Sequence, residues 1–158
     1  MRLVEPNPER LDTLFGWFDN DAAVRRWGGP VMRIPMSRTS MEEDAQIGVL
    51  ASYFLVDDQE VLGFGQYYDR LNRCHLGRLV ICPNRRGERL GQQLIERLVH
   101  DGHQRLGLSE QSLFVLDDNH RAIALYQRLG FTFAHYPGND GMGDEVRYMV
   151  RRARSISS

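Results

Sequence analysis

Apolar residues recur along the chain with two different periods, and the changes of period mark out its elements. Residues 2–5 read as a short strand. Pro8 opens a helical pattern in which Leu11, Leu14, Phe15 and Phe18 are apolar. A second helix is predicted from Asp21 to Trp27, stopped by Gly28, Gly29 and Pro30, and a third over about residues 40–50. The period then shortens. Residues 52–56 are strand-like, 57–60 make a turn, and 61–68 form the hairpin partner. Residues 75–81 are the next strand, followed by a basic, glycine-containing loop over 83–89. From Gly91 to about Gln104, Leu94, Ile95, Leu98 and Val99 share a helix face. Residues 112–116 are a continuous run of the kind buried on both faces of a sheet. Residues 118–129 read as a helix, with Asp117 or Asp118 as its cap and Gly130 as its stop. Two strands, 131–136 and 145–151, close the pattern around a glycine-rich loop. The order is β, helices, β-hairpin, β, α, β, α, β, β. It predicts a mixed α/β sheet in one domain over residues 1–152, with a frayed polar tail at 153–158.

Composition narrows the function classes. The 158 residues suit one domain with a full core, and 42% hydrophobic and 26% charged residues are ordinary for a globular protein. A formal net charge of −1 argues against broad capture of nucleic acid or of an anionic membrane. No apolar run approaches the roughly 20 residues of a membrane span. The first residues lack a signal-peptide core, so a cytoplasmic location is expected. Cys74 and Cys82 lie on one predicted strand, eight residues apart. At roughly 3.3 Å per residue they are beyond disulfide reach. Two reduced thiols are expected, and no metal, because no Cys/His spacing resembles a zinc site.

The candidate chemistry begins after the strand 75–81. Leu79, Val80 and Ile81 lead through Cys82 and Pro83 into Arg85, Arg86, Gly87, Glu88, Arg89, Leu90, Gly91 and Gln92. Free amides at a helix start favour a phosphate, and glycines let the backbone approach it. The same residues also suit a solvated basic turn. No Gly-Lys-Ser/Thr follows and no G-x-G-x-x-G is present, which excludes a P-loop and a dinucleotide fingerprint. A second motif lies in residues 113–131, where a buried strand precedes Asn119, Ala122 and Tyr126, and then Gly130-Phe131. Asn119, Ala122 and Tyr126 share one helix face, leaving a path for a slim chain past the small Ala122. Taken singly, Asn119 also suits a helix cap and Tyr126 a packed core residue.

Together the motifs resemble the GNAT (Gcn5-related N-acetyltransferase) superfamily. Arg86 takes the first position of its Gln/Arg-x-x-Gly-x-Gly/Ala loop and Gly91 the last, while Arg89 stands where the family has glycine. The second motif is similar to the family's Asn-x-x-Ala-x-x-x-Tyr. The resemblance covers residues 61–133 well and the first 50 poorly. It implies a mixed, mostly antiparallel sheet of about six or seven strands flanked by about four helices. It implies acetyl-CoA as co-substrate, transfer of the acetyl group to a primary amine by direct attack in a ternary complex, and Tyr126 as the acid that protonates the leaving thiolate. Cofactor contacts are expected from Leu79, Val80, Ile81, the residues Arg86 to Gln92, Asn119, Ala122 and Tyr126. The oxyanion donor is expected from the amide of Leu79 or Val80.

The general base and the acceptor are less constrained. The strand 75–81 has no carboxylate. His75, six residues before Ile81, shares its face if the strand is regular, and stands where some family members place a glutamate. Tyr68, Asp69 and Glu5 compete with it. Asp140, Asp144 and Glu145 suit attraction of a cationic amine or mere solvation of a loop. Arg25, Arg26 and Trp27 suit an anionic substrate, a partner subunit in a homodimer, or a capped helix end. A peptide acceptor stays open beside a small molecule. So does a catalytically inactive CoA-binding module, because of Arg89 and the missing strand carboxylate.

Overall fold

A computed structural model describes residues 1–138 and 143–152. In chain order its elements are β1 (Arg2–Val4), α1 (Pro8–Phe15), α2 (Asp21–Gly28), α3 (Arg38–Asp44), β2 (Ala51–Asp57), β3 (Glu60–Arg70), β4 (Arg73–Ile81), a 3-10 turn (Pro83–Arg85), α4 (Leu90–Leu106), β5 (Glu110–Leu116), α5 (His120–Arg128), β6 (Thr132–Ala134) and β7 (Val146–Arg152). The seven strands form one sheet in the order β1-β2-β3-β4-β5-β7-β6, and the β4–β5 pair is parallel while the others are antiparallel. The expected fold class, a mixed and mostly antiparallel sheet, is therefore the observed one. No helix among the described residues is long and apolar enough to cross a membrane.

Local signals explain most of the boundaries. Asn7 caps α1, with Pro8 in its first turn, and Asn20 caps α2. Ser37 and Ser40 cap α3 reciprocally. α3 stops at Asp44 rather than continuing to residue 50, because Gln46 and Gly48 take left-handed backbone angles (φ 54° and 99°) that end a helix. α5 begins at His120 with Asn119 as its cap, its side-chain oxygen accepting from the Ala122 amide at 3.3 Å. Asp117 and Asp118 do not serve there.

Two apolar layers cover the sheet. On one face α4 and α5 pack over Leu55, Leu62, Tyr67, Leu76, Leu113 and Met149. On the other, α1, α2 and α3 pack over Phe54, Val56 and Phe64, with Trp27, Met32 and Met41 between. Each fully buried large side chain contributes about 1.5–3 kcal/mol. Gly65 lets α4 lie close, since a Cβ there would meet Leu98 Cδ1 at 2.6 Å and Leu79 Cδ2 at 2.8 Å.

Two irregularities in β4 decide what the fold can do. Its register against β3 slips between Phe64 and Gln66, where Arg78 adopts φ 48° and forms a bulge. The extra residue inverts the strand's parity. Cys74 and Leu76 face α4, and beyond the bulge Leu79 and Ile81 face α4 as well, while Val80 faces α1–α3. His75 therefore lies on the α1–α3 face, opposite Ile81. The expectation that the two share a face fails, because regular alternation holds only where no residue is inserted. Second, β4 pairs with β5 only from Cys74 to Leu76, against Gln111 to Leu113. Beyond that point β4 follows β3 and β5 follows β7, so the two strands diverge.

Candidate active site

The divergence opens a cavity of about 830 Å³ that reaches both faces of the sheet. Leu79, Val80 and Ile81 form one wall. The start of α4, with Arg86, Gly87, Arg89, Leu90, Gly91 and Gln92, forms its base, and Asn119, Ala122, Leu125 and Tyr126 of α5 form the wall opposite β4. The far mouth is lined from the α1–α2 connection by Trp17, Phe18, Asp19 and Asn20, and from α2 by Ala23, Arg26 and Trp27. A smaller recess of about 470 Å³ adjoins the base, between Gly87, Arg89, Gln92, Arg128 and Leu129.

The base is built for an anion. No side chain caps α4, so its first amides stay open to a ligand. Arg86, Arg89, Arg121 and Arg128 line the cavity around them. Arg85 does not, because its guanidinium is occupied by Glu88 (2.8 Å) and Glu60 (2.6 Å), which tie the loop to β3. That pair also turns the Glu88 side chain away, and Arg85 holds its carboxyl below the usual carboxylate range. Arg89 sits in the left-handed region at φ 60°, ψ 22°. This is the angle a glycine would take freely, and for arginine it costs about 1–2 kcal/mol. Gly91 has an ordinary helical angle and is needed for closeness instead: a Cβ would approach Leu125 Cδ2 at 3.0 Å.

A sequence profile of the acetyltransferase (GNAT) family matches residues 14–131. The chain belongs to this family. Among solved structures it resembles the ribosomal-protein-S18-alanine N-acetyltransferase of Escherichia coli, with 19% identity, a TM-score of 0.67, and 99% of this chain and 96% of that one covered. It also resembles the aminoglycoside acetyltransferase AAC(6')-Ib in complex with acetyl-CoA, with 20% identity, a TM-score of 0.74, and coverage of 96% and 92%. A third is the PaiA N-acetyltransferase of Thermoplasma acidophilum in complex with coenzyme A, with 15% identity, a TM-score of 0.66, and coverage of 96% and 98%. At these identities the likeness is one of fold. The GNAT chain is an acetyl-CoA-dependent N-acetyltransferase, and the uncapped helix, the arginines and the slot between strands fit that co-substrate.

Within this GNAT site the motif residues converge as expected, with differences of role. Asn119 uses its side-chain oxygen for the helix cap, and its NH2 takes no part in that bond. Tyr126 is half-buried, with its ring 6.1 Å from that of Phe131. Desolvation pushes its pKa up to about 12, so it carries its proton throughout the neutral range.

The backbone donors also sort themselves out. Cys82 donates to the Leu62 carbonyl at 2.8 Å. Alternation along the ladder then turns the Val80 amide toward β3 too, opposite Phe64, and turns the Ile81 amide away from β3 into the gap. Trp27 Nε1 donates to the Arg78 carbonyl at 2.8 Å, drawing it toward α2. In a trans peptide the next N–H points the opposite way, so the Leu79 amide is aimed away from Trp27. Of the two expected oxyanion donors, Leu79 keeps a free direction and Val80 does not.

His75 is where the sequence reading departs furthest from the geometry. It is 3% exposed, and its Nδ1 lies 2.8 Å from Ser112 Oγ. Its ring packs between Tyr68 and Phe114, with centroids at 5.3 and 4.8 Å. Burial, with help from the Arg70 charge, lowers its pKa to about 3. A base that weak does not hold a proton taken from an ammonium. The competitors fare no better. The Tyr68 phenol accepts from Arg70 (2.8 Å), Asp69 caps the β3–β4 turn by accepting from the Asn72 amide (3.1 Å), and Glu5 is exposed beside α1. Asp144 and Glu145 are exposed before β7, and Asp140 lies outside the described residues. Cys74 is buried, with its thiol pKa pushed up to about 11, and Cys82 follows β4; both are free thiols and neither lines the cavity.

Sequence reasoning missed the α1–α2 wall. Trp17 to Asn20 read only as the end of one helix and the gap before the next. Arg121 and Arg128 were also missed, although one lies within the Asn119–Tyr126 motif and the other just after it on α5.

Proposed function

We propose that this acetyltransferase carries out direct transfer from acetyl-CoA to a primary amine within a ternary complex, with the cofactor entering on the α4–α5 face and the acceptor on the α1–α2 face. The observation that supports this reading is the cavity's passage through the β4–β5 divergence. It lets two ligands meet at Leu79 from opposite faces of the sheet. The pyrophosphate would rest on the open amides of α4 with Arg86 and Arg89 beside it, and the pantetheine would run past Asn119 and Ala122. The amine attacks the thioester carbonyl, and the Leu79 amide stabilises the oxyanion. Tyr126 donates to the departing sulfur. Its proton is held tightly, so the phenol serves as a hydrogen-bond donor to the thiolate that forms as the C–S bond breaks, and the thiolate takes its proton from water.

No histidine or cysteine lines the cavity among the described residues. An alkyl amine with a pKa near 10.4 is about one part in a few thousand neutral at pH 7. We therefore infer that the amine enters as its minor neutral form and that its proton leaves through the open mouth to water. The presence of Tyr126 in the slot favours turnover over a CoA-binding module without catalysis. Initial rates of CoA release, with acetyl-CoA and amine varied together, test the reading. Intersecting patterns and a rate rising tenfold per pH unit below the amine pKa are expected. Parallel patterns, or an acetylated enzyme trapped without amine, would overturn direct attack.

A further inference from the structure

The acceptor end of the cavity carries its own chemistry, and it narrows the class of amine. We infer that the acceptor is a small amine with a single positive charge and a flat apolar group; this rests on the reading that the acceptor enters from the α1–α2 face.

Three aromatic side chains form that face. Phe18 and Trp27 pack with ring centroids 4.7 Å apart, and Trp17 lies beside them in the cavity lining. Trp27 is fixed twice, by its indole bond to the Arg78 carbonyl and by packing on Phe64 at 6.0 Å. Trp17 and Phe18 stay half-buried, so their surfaces remain open to a ligand. A rigid aromatic wall of this kind binds a planar apolar group by area and by ring–ring geometry, at little entropic cost.

The charges point the same way. Asp19 is the one acidic residue that lines the cavity among the described residues, whereas Arg26 lines the same mouth. Behind the wall the Arg78 guanidinium is held by neutral partners, the Gly28 carbonyl at 3.2 Å and Gln66 Oε1 at 3.0 Å. A second and third ammonium on the acceptor would meet Arg26 at the same mouth, where Asp19 is the one lining carboxylate among the described residues to offset them. One ammonium finds Asp19 at the entrance, and that exposed carboxylate gives it a route to pass its proton to water. The flat group then lies on Trp17 and Phe18 while the nitrogen leads toward Leu79.

The test uses the full chain and three amines at equal ionic strength: 2-phenylethylamine (one charge, one ring), ethanolamine (one charge, no ring) and spermidine (three charges). The expected result is kcat/KM at least about tenfold higher for 2-phenylethylamine than for either of the others. Trp17→Ala should remove most of that preference with the KM for acetyl-CoA unchanged; should Trp17→Ala not fold, Trp17→Leu serves. Spermidine equal to or better than 2-phenylethylamine would overturn the charge argument, and ethanolamine equal to it would overturn the aromatic one. Quenching of tryptophan fluorescence in the CoA complex is the second readout, independent of turnover. Saturable quenching by 2-phenylethylamine but not by spermidine supports the inference even if no amine releases CoA, in which case it is the direct-transfer reading that fails. The reverse pattern overturns the inference whatever the turnover shows.

Discussion

β4 behaves as two strands in succession. Up to Leu76 it is paired on both edges, with β3 and with β5, and Cys74, His75 and Leu76 are between 1% and 3% exposed. After the Arg78 bulge it is paired on one edge only, and Leu79, Val80 and Ile81 are half-buried. The first half has its polar groups satisfied internally: its ladder bonds run to two neighbours and the imidazole is taken up by Ser112. The second half leaves amides at Leu79 and Ile81 with no strand to receive them. An unpaired edge is ordinarily a liability, and here it is a row of donors at the floor of a cavity. The residue types in the first half look more reactive than those in the second. Pairing, and not residue type, decides which half lines the cavity.

Four substitutions would break or sharpen this comparison. The largest effect is expected from Gly91→Asp, beside the unpaired half. Its new side chain meets only the end of Leu125 and suits a helix start, so the fold should survive. The carboxylate would occupy and repel the pyrophosphate, and calorimetry should show acetyl-CoA affinity lowered by roughly 10²-fold or more. Unchanged affinity would move the phosphates away from α4. Tyr126→Phe comes next, with kcat and kcat/KM lowered together by about 10²-fold and acetyl-CoA affinity retained. Full turnover with chemistry rate-limiting would remove the phenol from the mechanism.

The third concerns the paired half. His75 has a folded pKa of about 3 against an ordinary value of 6.5. As pH falls, the unfolded chain takes up its proton first. The stability tied to the neutral ring is therefore complete above about pH 6.5 and is lost progressively toward pH 3, at about 1.4 kcal/mol per unit. Between pH 7 and 5 that amounts to about 2 kcal/mol. Urea midpoints should show this loss in the parent and not in His75→Gln, and the variant's pH–rate profile should keep the parent's acidic limb. A displaced limb would restore His75 as the base. The smallest effect is expected from Trp27→Phe. It removes the donor to the Arg78 carbonyl and loosens the aim of the Leu79 amide, so kcat should fall about tenfold with the KM for acetyl-CoA steady. An unchanged kcat would show that the bulge holds its own direction.

The periodicity of the chain determined its elements, because burial of one face imposes a period of 3.6 or 2 whatever the rest of the fold does. Thus β2, β3, α2, α4 and β5 were legible to within a few residues. The spacing of Arg86 and Gly91, and of Asn119, Ala122 and Tyr126, also marked two local units, a strand-to-helix turn and a helix face, and both line the cavity. Tertiary structure decided the rest. One inserted residue at Arg78 reversed the facing of everything before it, and no pattern in residues 75–81 announces a bulge. The value of His75 as a base depended on Ser112, Tyr68 and Phe114, which arrive from other strands. The wall of Trp17, Phe18 and Trp27 was brought in with α2, which meets β4 through the Trp27 indole and the Arg78 guanidinium, some fifty residues apart in sequence. Proton affinity and direction of approach are set by neighbours distant along the chain, and a single sequence lists those neighbours without saying which of them meet.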